Sequence, residues 1–265
     1  MADDLNRRPA AELARLIRSK AVSPVEVLGA HLDAIARINP AVNAICTLAA
    51  ESATAAARQA EDAVMRGDPL GPLHGIPVGI KDVTPTAGIR TTYGSRLYAD
   101  HVPTEDAAVV ASLKAAGAVV LCKTNTPEFA AGANTVNALF GATRNPRNLA
   151  LTVGGSTGGG AAALACGMIA LAEGTDFGGS LRVPAAFCGV VGLRPTPGLV
   201  PAHPVSLPWD FGRTHGPMGR TVEDVALMLD AIVGPSAVSP ISVSPPWTSA
   251  ARTENSRWPT AATPI

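Results

Sequence analysis

The chain is expected to fold as an α/β protein with a mixed, mainly parallel central sheet covered by helices. Three observations lead to this class. From residue 71 onward, short apolar runs alternate with amphipathic helical segments, the pattern of strand–helix units. The run Ala-Val-Val-Leu-Cys at 118–122 is apolar throughout, as in a strand covered on both faces. Finally, 265 residues that are 47% hydrophobic and 16% charged are too apolar for a disordered chain. A chain of that size buries roughly 70–75% of its unfolded surface. With aromatics at only 4%, the core is to be built from Ala, Val, Leu and Ile.

Residues 1–70 read as a helical arm packing on this core. Ser23-Pro24-Val25-Glu26 places an N-cap, a first-turn proline and a capping-box Glu in order. Val25, Leu28, Leu32 and Ile35 follow as an amphipathic stripe that should stop at Asn39-Pro40. An Ala-rich helix is expected from about Ala49 to Met65, closed by Gly67. In the core, 71–234, Ile76 to Ile80 reads as a strand. Thr104-Glu105-Asp106 should open a helix with acids in its first turn, and Thr126-Pro127-Glu128 another. The run 168–172 reads as buried strand or helix end. Thr221 caps a last helix with Val222, Val225, Leu229 and Ile232 facing inward. Residues 235–265 hold six prolines and six serines without periodicity, so this segment is expected to be an unfolded tail.

Lys+Arg and Asp+Glu both number 21, so net charge gives no electrostatic reason for a nucleic-acid or anionic-membrane partner. Cys46, Cys122, Cys166 and Cys188 lie far apart with no CxxC pair, which argues against a zinc ribbon or disulfide scaffold and fits a reducing, cytoplasmic setting. No signal peptide is visible at the charged N-terminus. The uncharged stretch 149–172 is long enough for a membrane span, but six glycines interrupt it.

Two glycine clusters carry the chemical interest. Gly154-Gly-Ser-Thr-Gly-Gly-Gly160 precedes a helix, yet it lacks the Lys-Ser/Thr of a phosphate loop and fits no GxGxxG register. Gly174-Thr-Asp-Phe-Gly-Gly-Ser180 ends in a serine on a tight turn with several exposed backbone N–H groups. That is a recipe for a nucleophile with its own oxyanion hole, although a lone Gly-Gly-Ser fits a plain turn as well. The five histidines, 31, 74, 101, 203 and 215, read as helix, surface or loop residues rather than as a base. Lys81 ends an apolar strand, where desolvation favours the neutral amine.

Together, GIPVGIKD (75–82), GGSTGGGAAA (154–163) and GTDFGGSLRVPAAFCGVVGLRPT (174–196) closely resemble the amidase signature family, supported by LCKTNTPEFA (121–130), FGATRNP (140–146) and GPMGRT (216–221). The resemblance covers roughly residues 5–235. It implies the amidase signature fold and a Ser–cis-Ser–Lys triad: Ser180 as acyl-forming nucleophile, Ser156 as bridging serine after a cis peptide bond, Lys81 as base. The backbone N–H groups of Phe177, Gly178, Gly179 and Ser180 match the oxyanion hole. Thr157 stands where the family often has a second serine. The implied activity is hydrolysis of a small-molecule carboxamide to carboxylate and ammonia, with no cofactor and no metal. A homodimer is compatible with it.

Family members continue well past the helix at 221–233, whereas here a Pro/Ser-rich segment follows, so the fold is expected to be incomplete at the C-terminus and the site open. Two alternatives stand beside the amidase. One is a truncated, catalytically impaired fragment. The other is a component like the related subunit of a glutamine-dependent tRNA amidotransferase, which amidates misacylated tRNA with ammonia from glutamine. The segment 209–217, WDFGRTHGP, reads more like stand-alone amidases than that component.

Overall fold

The computed structural model describes residues 2–251. After a 3-10 turn (Ala2–Arg7) come α1 (Ala10–Arg18), α2 (Pro24–Val42), β1 (Ile45–Leu48) and α3 (Ala50–Arg66). Next are β2 (Pro77–Lys81), α4 (Ala108–Ala115) and β3 (Val119–Thr124). Two small hairpins pair β4 (Val136–Asn137) with β5 (Gly141–Ala142) and β6 (Arg144–Asn145) with β7 (Asn148–Thr152). The chain continues through α5 (Gly158–Ala165), β8 (Leu171–Asp176), α6 (Arg182–Cys188), β9 (Val191–Gly192), β10 (Thr214–Gly219) and α7 (Val222–Ile232).

Six strands form one sheet in the order β1-β3-β2-β8-β10-β9. The central three, β3, β2 and β8, run parallel; the outer pairings, β1 with β3, β10 with β8 and β9 with β10, are antiparallel. The result is a mixed α/β sheet with a parallel centre. Successive residues of β3 divide between two apolar clusters, Val120 in one and Val119 and Leu121 in the other, as the alternation of a pleated strand requires. The first cluster joins α1, α4 and α7; the second joins α2, α3 and the wholly buried face of α5. Both faces of the sheet are therefore covered. No helix among the described residues is long and apolar enough to cross a membrane; the stretch 149–172 divides into β7, α5 and the start of β8.

Several elements differ from the expected ones. α2 runs past Pro40 to Val42 because its C-terminal turn is tied down locally. Asn43 adopts a left-handed conformation, and the Asn39 side chain accepts from Ala44 and Ile45 N–H while donating to Ile45 O. The arm also contributes a strand, since β1 pairs with β3 at the sheet edge. α4 begins at Ala108, not Thr104; Asp106 instead accepts the Ala87 N–H and pairs with Lys114, which draws 104–107 into loop contacts. The helix expected at 126–128 is a single 3-10 turn, Glu128–Ala130, with Phe129 in the left-handed region. Residues 235–251 pack on the core rather than extending away. Val243 N–H donates to Gly198 O, Trp247 lies half-buried on the first cluster, and Asp230 at the end of α7 accepts from Ser249, Ala250 and Ala251. Residues 252–265 lie outside the described residues.

Candidate active site

The parallel centre of the sheet decides where the chemistry gathers, because ligands of such sheets collect at the carboxyl ends of the strands. Lys81 is the last residue of β2, and Thr175 and Asp176 end the neighbouring β8. Ser156 reaches the same place from the glycine loop before α5. Two glycines allow that approach. A Cβ at Gly159 would come within 2.6 Å of Asn125 O and 2.7 Å of Ala44 O, so α5 can lie against the end of β3 only without a side chain there. A Cβ at Gly174 would meet Thr157 Oγ1 at 2.8 Å, so its absence lets Thr157 rest on β8.

Lys81 is fully buried, and its Nζ lies 2.6 Å from Ser156 Oγ, 2.9 Å from Thr157 Oγ1 and 2.9 Å from Thr175 Oγ1. The Gly155–Ser156 peptide bond is cis. Thr157 Oγ1 donates to Thr175 O at 3.2 Å, and Thr157 N–H donates to Ser180 O at 3.1 Å, which holds the two glycine loops together. Burial holds the Lys81 ammonium down to about 7, against the upward pull of Glu173 and Asp176; Arg213 adds to the downward shift.

The turn carrying Ser180 is organised by Asp176. Its carboxylate accepts the Gly179 and Leu181 N–H groups at 2.8 and 3.1 Å and a two-nitrogen contact from Arg182, both at 3.0 Å. Burial alone would raise the Asp176 carboxyl, but the Arg182 and backbone hydrogen bonds outweigh it and hold it at about 2. This corrects one expectation: the Gly179 N–H is already engaged by Asp176. Among the described residues, the N–H groups of Phe177, Gly178 and Ser180 have no protein acceptor. Ser156, Thr175, Phe177 and Ser180 line one cavity of about 400 Å³, whose further walls include Phe129, Val205, Leu207, Pro208 and Ile241.

Of the residues expected from the sequence, Ser156 and Ser180 line this cavity, and Lys81 lies buried behind it in contact with the Ser156 hydroxyl. The sequence reading missed Thr157 and Thr175 as Lys81 partners, and it missed Glu173 and His215. His215 is not a loop residue: it lies buried on β10 and donates through Nδ1 to Glu173 Oε1 at 2.7 Å. His31 is likewise buried within α2, its Nδ1 3.0 Å from Gly167 O, and burial pushes it down to about 4. The available signal was Glu173 itself, an acid closing an apolar run, since a buried charge in a strand demands partners. Among the described residues there is no group of three or more His, Cys, Asp or Glu arranged to hold a metal ion.

A strand-end lysine in contact with a loop serine, with a second serine on a glycine turn lining the same cavity, thus sits at the carboxyl end of the parallel strands of an α/β sheet. The amidase family model matches residues 26–261, and the chain belongs to the amidase signature family. It is 46% identical over 225 residues to the A component of the glutamyl-tRNA(Gln) amidotransferase of Carboxydothermus hydrogenoformans, covering 85% of this chain and 46% of that protein. It is 43% identical over 234 residues to an acylamidase of Rhodococcus erythropolis, covering 88% of this chain and 49% of that one. Its fold is similar to that of a bacterial aryl acylamidase of the amidase signature enzymes, with TM-score 0.86 and 34% identity over 89% of this chain and 50% of the other. The chain spans about half the length of the curated relatives it matches.

Proposed function

We propose that this chain is an amidase that hydrolyses a small-molecule carboxamide through an acyl-enzyme, with Ser180 as nucleophile, Ser156 as proton bridge and Lys81 as base. The observation that carries this reading is the 2.6 Å contact between the buried Lys81 amine and the Ser156 hydroxyl. In the neutral form, Lys81 uses its lone pair to take the Ser156 proton, and Ser156 takes the Ser180 proton as Ser180 Oγ attacks the amide carbonyl. The tetrahedral oxyanion is received by the N–H groups of Phe177, Gly178 and Ser180. As the C–N bond breaks, the proton returns from Lys81 through Ser156 to the departing nitrogen. This leaves a Ser180 ester that water hydrolyses along the same relay. The apolar walls contributed by Phe129, Phe177 and Leu207 support a carbon-rich acyl or amine substituent, and Asp210 and Arg213 line the same cavity.

The test is covalent labelling of Ser180 by a serine-directed phosphonate, together with turnover of simple carboxamides. A cooperative melt without labelling or turnover would identify the impaired fragment instead. The 46% identity to a tRNA amidotransferase component supports a second reading, glutaminase activity within a complex. Glutamine hydrolysis that appears only with partner proteins would favour it.

A further inference from the structure

One strand from the proposed base lies an acid that the proposed chemistry does not use. Glu173 on β8 is fully buried and pairs in register with Ile80, the residue before Lys81. That is the last register pair between β2 and β8, and the Lys81 N–H beyond it donates instead to Glu173 Oε2 at 3.2 Å. Glu173 Oε1 accepts His215 Nδ1–H from β10 at 2.7 Å and the Thr84 hydroxyl at 3.2 Å. One carboxylate thus ties the end of β2, the turn after it and β10 together in the interior beside Lys81. An apolar residue at 173 would suit the buried strand but leave those three donors without a partner, a costly arrangement in an interior.

We propose that Glu173 is the positioning residue for Lys81: its carboxylate anchors the strand end that carries the amine and supplies the negative charge that offsets burial, so that the lysine still takes up a proton. This rests on the reading of Lys81 as the base. The charged groups facing Lys81 are Glu173 and Asp176 from β8, which favour the ammonium, and Arg213 from the segment before β10, which opposes it. Asp176 is neutralised close by through Arg182, with Arg194 at 3.5 Å, whereas Glu173 is hydrogen-bonded to the backbone of Lys81 itself. Facing Glu173 are His215 on β10 and Lys123 on β3. Burial alone would raise its carboxyl, but the His215 hydrogen bond and charge, with Lys123, outweigh burial and keep it below the usual range. It therefore stays an anion while Lys81 titrates.

The experiment compares wild type with Glu173→Gln, which keeps the shape and removes the charge. The Lys81 Nζ titration is followed by ¹⁵N NMR and the acid limb of kcat/KM by rate measurements. We expect both to move together to lower pH by about one unit, the effect of one nearby charge, with Glu173→Asp returning them toward wild type. A folded Glu173→Gln protein with an unmoved Lys81 titration would overturn the proposal. If that variant does not fold, wild-type protein carrying ¹³C-carboxyl glutamate decides the matter. A Glu173 carboxylate ionised throughout the limb supports it, and one titrating in step with the limb overturns it. Absence of turnover and of Ser180 labelling in wild type would count against the amidase reading alone, because the Lys81 titration is read without activity.

Discussion

Lys81 faces three hydroxyls, but as a neutral amine it has only two hydrogens. The Thr157 hydroxyl gives its own proton to Thr175 O, so toward Lys81 it accepts. With Thr175 taking the second N–H, the lone pair is left for the shortest contact, Ser156. This arrangement makes Thr157 an orienting group for the amine. Replacing Ser180 with Ala should abolish turnover and phosphonate labelling, whereas Lys81→Ala should slow acylation steeply; near-normal labelling rates at neutral pH in Lys81→Ala would refute the assignment of the base. Because burial holds Lys81 at about 7, the lone pair is lost as pH falls through that value. The rate of Ser180 labelling should therefore drop below pH 7 and level off above it. The resemblance carried by their motifs pointed to Lys81 and both serines. It could not reveal Thr175 or Glu173 as Lys81 partners, because they lie 94 and 92 residues away, and alternation along β8 says which face they share but not what they meet.

Among the elements, α5 is the one whose sequence is most tightly dictated by its surroundings. All of Gly158–Leu164 is buried, and Gly159 abuts the backbone of Asn125 and Ala44. Gly159→Ala should lower stability by about 1–3 kcal/mol through overpacking against backbone that cannot give way, measured as a reduced melting temperature. It should also slow Ser180 labelling, because the displaced helix carries Ser156 with it. Helix α7 contrasts with this: its Thr221–Asp224 capping box was readable as a local pattern, and Asp224 accepts the Ala11 N–H as well. Local capping therefore announced where α2 and α7 start. The start of α4 and the strand nature of β1 were not announced, because each is set by a partner elsewhere: Asp106 with Ala87, and β3 with β1.

At the scale of the whole molecule, buried ionisable groups shape how stability varies with pH. Burial pushes Lys81 to about 7 and Lys123 to about 8, both from an ordinary 10.5. Between those values and 10.5 the unfolded chain binds more protons than the folded one, so stability rises with pH across that window. Burial also pushes the Cys122 and Cys188 thiols up to about 12 from 9.0, so above pH 9 the folded state holds protons the unfolded state has lost, and stability falls. The melting temperature should accordingly climb from pH 7 to about pH 9 and then flatten or decline. A Lys81→Met variant should show a shallower climb, and an equal slope would refute the buried-lysine account. Taken by itself, the sequence determined the α/β class and the starts of α2 and α7, and its resemblance to a known family pointed to the three side chains of the proposed triad, because periodicity, caps and motifs are written in residues close together along the chain. Only the tertiary structure decided that the arm adds a strand to the sheet, that residues 235–251 fold back on α7 and the core, that Asp176 already holds the Gly179 N–H, and that Glu173 joins the Lys81 backbone to His215. These are hydrogen bonds and packing contacts whose partners are chosen by how the chain folds around the sheet, which residue pattern alone does not specify.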